Sequence, residues 1–201
     1  MTQDSALPIE IRRLWPIDRS AFRNHLLRLE AEGRHDRFGA GVSDDFLREY
    51  AERCFGRGDL VYGAFLHRQL RGVAELRSDK AIWTEQAPFA RHIEAEAAFS
   101  VEANWRRKGV GETLFARVAQ AAGNHGVEAI AINCHANNLP MLRLAAKFSA
   151  QMSFEEDQIA GRLIARRPTA LSLLREAARD AADFAASAGD AQMRAFAAGR
   201  R

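Results

Sequence analysis

Residues 92–114 read His92-Ile93-Glu94-Ala95-Glu96-Ala97-Ala98-Phe99-Ser100-Val101-Glu102-Ala103-Asn104-Trp105-Arg106-Arg107-Lys108-Gly109-Val110-Gly111-Glu112-Thr113-Leu114. From Ile93 to Val101, apolar Ile93, Ala95, Ala97, Phe99 and Val101 alternate with Glu94, Glu96, Ala98 and Ser100, the period of a half-buried strand whose polar face carries two carboxylates. Arg106, Arg107 and Lys108 then form the one tight basic cluster of the chain and lead into Gly109 and Gly111. Beyond them Val110, Leu114, Phe115, Val118, Ala121 and Ala122 step by three and four, as the buried stripe of a helix does. A strand, a basic glycine turn and a helix in that order form a place for a phosphorylated ligand. The unpaired N–H groups of a first helical turn and the helix dipole attract anions, and glycine lets a phosphate approach the backbone.

Two familiar phosphate loops fail here on named residues. A P-loop requires Lys after its last glycine, where this chain has Glu112, and a dinucleotide fingerprint requires a third glycine, where it has Leu114. Arg106-x-x-Gly109-x-Gly111 between a strand and a helix instead resembles the Gln/Arg-x-x-Gly-x-Gly/Ala signature of the GNAT superfamily of N-acetyltransferases. A second stretch strengthens the resemblance. Val127 to Cys134 reads as a buried strand, and Asn137-Asn138-Leu-Pro140-Met141-Leu142-Arg-Leu144-Ala145-Ala-Lys147-Phe148 is similar to the second cofactor-contacting segment of that family, with Asn138 in the asparagine position.

The resemblance implies an α/β (α+β) fold with a central mixed, mostly antiparallel sheet flanked by helices, here with an extra C-terminal helix. It covers roughly residues 60–166; the expected division is a GNAT domain over 1–168 and an alanine-rich helical extension over 169–201. The implied activity is acetyl transfer from acetyl-CoA, the cosubstrate, to a primary amine of a small molecule or peptide. A non-catalytic acyl-CoA-binding regulatory module is the alternative. The implied cofactor-binding residues are Phe99 and Val101 on the strand, Arg106, Arg107, Lys108, Gly109, Val110 and Gly111 at the diphosphate, and Asn138 and Met141 at the far end of the pantetheine arm. Asn138 also reads as an ordinary helix cap ahead of Pro140.

At neutral pH an aliphatic amine is protonated, so its attack on a thioester needs a base, and the developing oxyanion needs stabilisation. Glu96, five residues before Val101, resembles the glutamate that some branches of the family place there, and Glu94 lies on the same strand face as a second candidate. Both also read as solvated residues on an open sheet. The tyrosine that many relatives carry seven residues after the asparagine, as acid for the thiolate, is replaced by Ala145. Ser100, Tyr62, His135 or a water are substitutes. Ser149-Ala150 replaces the Gly-Phe that commonly ends the segment. On the acceptor side the candidates are Arg34, His35, Arg37 and Phe38.

The remaining chain supplies a soluble frame. With 201 residues, 47% hydrophobic and 27% charged, the length and composition are those of one globular domain. The net charge of +3 comes from 29 basic and 26 acidic residues that are interspersed, which argues against nucleic acid as partner. No apolar run is long enough for a membrane, and the first residues lack the pattern of a secretory signal, so the expected location is cytoplasmic. Cys54 and Cys134 have neither disulfide nor metal-ligand spacing, and no metal is expected.

In chain order the pattern predicts a strand over 8–16 and a helix from Asp18 or Ser20 to Glu32, stopped by Gly33. A loop over 34–42 and a helix from Ser43 to Phe55 follow, then a hairpin of Leu60–Leu66 and Leu70–Leu76. Residues 77–91 form a long connection. Strands over Met152–Glu156 and Ile159–Ala165 close the domain. A last helix carries Leu171, Leu174, Ala178, Ala181 and Ala185 as its apolar stripe, broken at Gly189, and can pack on its own domain, form a homodimer, or fray.

Overall fold

A computed structural model of the chain describes residues 9–55, 59–78, 93–155 and 158–198. The long connection predicted over 77–91 lies almost entirely outside these residues. The chain forms β1 (Glu10–Leu14), α1 (Arg19–Leu27), α2 (Ala31–Phe38), α3 (Asp44–Cys54), β2 (Leu60–Leu66), β3 (Gln69–Arg77), β4 (Glu94–Val101), α4 (Val110–Asn124), β5 (Ala129–His135), α5 (Leu139–Lys147), β6 (Gln151–Glu155), β7 (Gln158–Ile164) and α6 (Ala170–Ala198). The seven strands make one sheet in the order β1-β2-β3-β4-β5-β7-β6. All neighbours are antiparallel except β4 and β5, which run parallel. The sheet is therefore mixed and mostly antiparallel, as the resemblance implies.

The alternation in β4 does what its period demands. Ala95 and Ala97 turn into an apolar core with Leu114, Phe115, Val118 and Ile130, so α4 lies on that face with α5 beside it. Glu94 and Glu96 turn to the opposite face and stay exposed. There α1 and α3 cover β1 to β3 through a second core of Phe22, Leu26, Leu47, Ala51, Val61 and Val73.

Two predictions about the first hundred residues need correction. The helix predicted to run to Glu32 ends at Leu27, and residues 34–38 of the predicted loop belong to a second helix, within which Gly33 sits buried instead of stopping the first. A Cβ at Gly33 would lie 2.9 Å from the Arg106 guanidinium, so glycine is there for close approach. The residue that ends the helix is Gly39, at φ 72° in the left-handed region. Ser43 does cap α3, its hydroxyl accepting the Phe46 N–H at 3.2 Å.

The last helix differs in another way. It runs through Gly189 without a break. Its predicted apolar stripe of Leu171, Leu174, Ala178, Ala181 and Ala185 faces solvent, and the opposite, acidic face docks. Asp180 meets Arg13 at 2.6 Å and Arg117 at 3.2 Å; Asp190 meets Arg12 at 2.7 Å; and Asp183 accepts the main-chain N–H of Arg13 at 2.7 Å. Hydrophobic periodicity could not foresee this, because the arginines that select the buried face lie on β1 and α4. Among the described residues no helix is long and apolar enough to cross a membrane.

Candidate active site

β4 and β5 pair only at Glu94–Ala129, Ala95–Ile130 and Glu96–Ala131. Beyond that β5 continues against β7 through His135, while β4 continues against β3 through Val101. The two parallel strands part, and the β5-side edge of residues 97–101 is left without a strand partner along a cleft, with the Val101 carbonyl taken by the Arg106 side chain. Backbone groups on such an edge are free to accept an added strand.

At the end of that edge stands the N-terminus of α4. Arg107 has φ 58° and Gly109 has φ 81°, both left-handed, and the reversal brings the chain into the helix with no side chain capping its first turn. Arg107, Lys108 and Gly109 are exposed. Glu112, the one acidic residue in that turn, pairs with Lys147 of α5 at 2.6 Å. These are the conditions for an anion site: open N–H groups, a helix dipole, and cationic neighbours. Gly111 faces α5, where an added Cβ would sit 3.5 Å from Leu144. Asn138 caps α5, its Oδ1 accepting the Met141 N–H at 3.1 Å. Phe99 stacks on Phe115 at 5.3 Å, and Phe115 on Phe148 at 4.1 Å, so one aromatic column ties the bare strand to α4 and the end of α5.

Arg106 is engaged otherwise than its charge suggested. Its guanidinium meets Glu30 at 2.7 Å and Asp36 at 3.9 Å, and its Nε donates to the Val101 carbonyl at 3.1 Å. It ties the turn to α2. Burial holds the Asp36 carboxyl above its ordinary value in spite of Arg106 nearby.

The two candidate carboxylates have separate partners. Glu94 takes Arg162 of β7 at 2.9 Å, whereas Glu96 accepts, among the described residues, the Asn133 amide, at 3.2 Å, across the cleft from β5. Of the substitutes for the missing tyrosine, Tyr62 is buried on the α4 face, its hydroxyl donating to Glu176, with burial raising its pKa further out of range. His135 stacks on His35 of α2 at 4.7 Å, over the cleft. Ser100 is buried, its Oγ 2.9 Å from His25 Nε2. Ala145 itself is wholly buried in the core, so its position presents nothing to the cleft.

Three of the four acceptor-side candidates are structural. Arg34 donates to the carbonyls of Leu27, Leu29 and Val42, closing the turns around α2. Arg37 is buried against Glu75 at 2.6 Å. Phe38 packs edge-on against Phe46 and Tyr50. His35 alone of the four reaches β5.

Sequence reading missed two clusters that hold α1 to α3 in place. Glu75, at 0% exposure, receives Arg37, Arg77, the Tyr50 hydroxyl and the Cys54 thiol. Burial alone would raise its pKa, but the two arginines outweigh it and hold the carboxyl at about 2. Glu102, just past β4, receives His25, Arg28 and Arg71. Burial is again outweighed by these bonds, and the carboxyl sits at about 2. The only sequence signal was a glutamate at a position where β3 should be apolar. Among the described residues no group of three or more His, Cys, Asp or Glu side chains is placed to hold a metal.

Against known families the chain matches the model described as the acetyltransferase (GNAT) family over residues 24–149, more than half its length. The chain belongs to this GNAT family. Solved GNAT structures share its fold. The GNAT domain of PAT from S. lividans is 18% identical, covering 78% of this chain and 90% of its own, with a TM-score of 0.63. Ribosomal-protein-alanine N-acetyltransferase from Brucella melitensis is 18% identical over 77% and 99%, with a TM-score of 0.58. YncA from Salmonella typhimurium, solved with its cofactor acetyl-CoA, is 15% identical over 81% and 96%, with a TM-score of 0.56. At such identities the likeness is one of fold. No curated protein matches the chain. As a GNAT protein it is an acetyltransferase.

Proposed function

We propose that the protein is an acetyl-CoA-dependent N-acetyltransferase that acylates a primary amine of a small molecule or protein by direct attack of the amine on the thioester. One observation carries the reading: β4 leaves β5 after Glu96 and exposes its edge directly beside the uncapped N-terminus of α4. The residues present fit the cosubstrate. The N–H groups of Arg107 to Gly111 hold the diphosphate, with exposed Arg107 and Lys108 adding charge and Val110 anchoring the turn in the core. Arg106 contributes by bracing that turn against α2. The bare edge from Phe99 to Val101 pairs with the amides of the pantetheine arm as with an added strand, and Asn138 and Met141 bound its far end. Bound there, acetyl-CoA supplies an acetyl group already activated as a thioester.

The chain's own work is to position and to move protons. Glu96, exposed at the cleft mouth and bonded among the described residues to the Asn133 amide, removes the first proton of the incoming ammonium, directly or through a water. Glu94, paired with Arg162, serves as a charge at the rim. We assign this chemistry to residues 1–168, with 169–201 as a helical extension.

The test is titration of the purified protein with acetyl-CoA, followed by thiol release against a panel of amines. Binding should be lost in Gly111→Glu, which adds a carboxylate to the first turn of α4 and crowds it against Leu144 of α5. In Glu96→Gln affinity should survive while turnover falls by about 100-fold, the usual share of a general base. Tight binding with no thiol release from any amine would favour the regulatory acyl-CoA-binding module, for which the buried Ala145 in the acid's position is the supporting observation.

A further inference from the structure

Ser100, His25 and Glu102 stand in line. Ser100 Oγ is 2.9 Å from His25 Nε2, and His25 Nδ1 is 3.2 Å from Glu102 Oε1. His25 is wholly buried, and Ser100 and Glu102 nearly so. Because Glu102 can only accept, the imidazole must carry its hydrogen on Nδ1, which leaves Nε2 to accept the serine hydroxyl hydrogen. This is the order of donors and acceptors by which a serine hydroxyl is coupled to a proton acceptor that a carboxylate supports.

Its place in the fold gives the chain of hydrogen bonds a use. Ser100 lies in the stretch of β4 that β5 has left, on the same strand face as Ala98 and Glu96. Two residues of strand are roughly 7 Å. A reacting group over Ala98 would therefore be flanked by Glu96 on one side and Ser100 on the other.

Acylation of an amine requires two protons to leave nitrogen. The first leaves the ammonium to free the lone pair. The second leaves as the N–C bond forms, because the nitrogen then carries two protons and a positive charge. The departing sulfur needs one proton as the C–S bond breaks. We propose that Ser100, backed by His25 and Glu102, takes the second proton from the nitrogen and returns it to the sulfur, replacing the tyrosine that Ala145 displaces. Ser100 passes its hydroxyl hydrogen to His25 Nε2 while accepting the proton from nitrogen, and Glu102 steadies the imidazolium. The reverse movement protonates the thiolate, so the relay ends as it began and the only proton released is the one on Glu96. Ser100 is the catalytic member. His25 and Glu102 act through it.

This proposal rests on the acetyltransferase reading above. The groups facing His25 are Arg28 from its own helix, Ser100 and Glu102 from the end of β4, and Arg71 and Glu75 from β3. Burial lowers the His25 pKa, and Glu102 restores part of it, so the imidazole is neutral and able to accept at neutral pH. Turnover should hold above that lowered pKa and fail as the pH drops through it.

The experiment combines kinetics with a readout that needs no substrate. Nitrogen NMR of histidine-labelled protein should show His25 neutral at pH 7 with its hydrogen on Nδ1; a hydrogen on Nε2 would overturn the relay. Ser100→Ala and His25→Gln should each lower kcat by about 100-fold at unchanged acetyl-CoA affinity, the double variant no further, since members of one unit are not additive. His25→Gln should also flatten the acid limb of the pH profile. Turnover in Ser100→Ala within twofold of wild type sinks the relay and leaves the acetyltransferase reading intact. Wild type that binds acetyl-CoA yet acylates no amine sinks both. Ser100→Thr, which keeps the hydroxyl, should retain more activity than Ser100→Ala at matched folding; equal loss in both would speak for packing and against the relay.

Discussion

On the α4 face of the sheet Ala95, Ala97, Leu114, Phe115 and Ile130 meet as an apolar layer, while on the other face Glu75 is equally inaccessible and is surrounded by Arg37, Arg77, Tyr50 and Cys54. Apolar packing is non-directional and its energy grows with area. A buried carboxylate between two guanidinium groups is directional, since each partner must stand at a bonding distance or leave a charge desolvated. The opposite face has an apolar core of its own as well, so what Glu75 adds there is direction, fixing where α2 and α3 lie.

The strongest way to break this contrast is Glu75→Leu. It should cost about 3–5 kcal/mol, because Arg37 is left buried without its anion. Urea unfolding measures it. Leu114→Ala on the other face should cost about 2–5 kcal/mol by leaving a cavity. Acid separates the two mechanisms. Glu75 and Glu102 are both held at about 2, below the ordinary 4.5. A carboxylate depressed in the folded state stabilises fully above its unfolded pKa and loses that contribution as the pH falls through its folded value. Wild type should therefore lose stability from about pH 4.5 down to about pH 2, Leu114→Ala in parallel with it, and Glu75→Leu less steeply. Equal urea midpoints for wild type at pH 2.5 and pH 7 would end the argument.

Smaller effects sharpen the same comparison at the donor end. Ala145→Tyr restores the residue expected by resemblance, but into a closed apolar core. It should cost about 1–3 kcal/mol and give no rise in turnover, which thermal unfolding and thiol release would check. The smallest change expected is in Lys147→Ala. Losing an exposed ion pair is worth less than about 1 kcal/mol, so releasing Glu112 at the anion site should weaken acetyl-CoA binding about twofold by titration.

The elements around the cleft were legible because their signals are local. The alternation through Ala95 and Ala97, the Arg106-x-x-Gly109-x-Gly111 turn and the stripe from Val110 to Ala122 each occupy one short stretch. Helix α2 was not legible, because Gly33 and Gly39 read alike in sequence and only the guanidinium beside Gly33 tells them apart. Of the candidate site, the helix N-terminus could be found by pattern, and Glu96 could be proposed only by resemblance. The His25–Glu102 pair could not, since its members are 77 residues apart and no periodicity links them. For the same reason Arg34 and Arg37 looked like free cations until their partners were in view.

The docking of α6 on β1 has a consequence for how the chain is made. β1 is an outer strand of the sheet, and the N–H of Arg13 is satisfied by Asp183 of a helix far downstream. Arg12 and Asp190, which complete the contact, are 178 residues apart. An uncovered strand edge is a template for pairing with another chain, and a nascent domain exposes such edges until the element that covers them arrives. While the ribosome is still adding α6, the sheet can already form, yet β1 has no cover. A chain synthesised only as far as β7 therefore has β1 open to pairing with another chain, and α6 closes that edge with aspartates seated on Arg12 and Arg13.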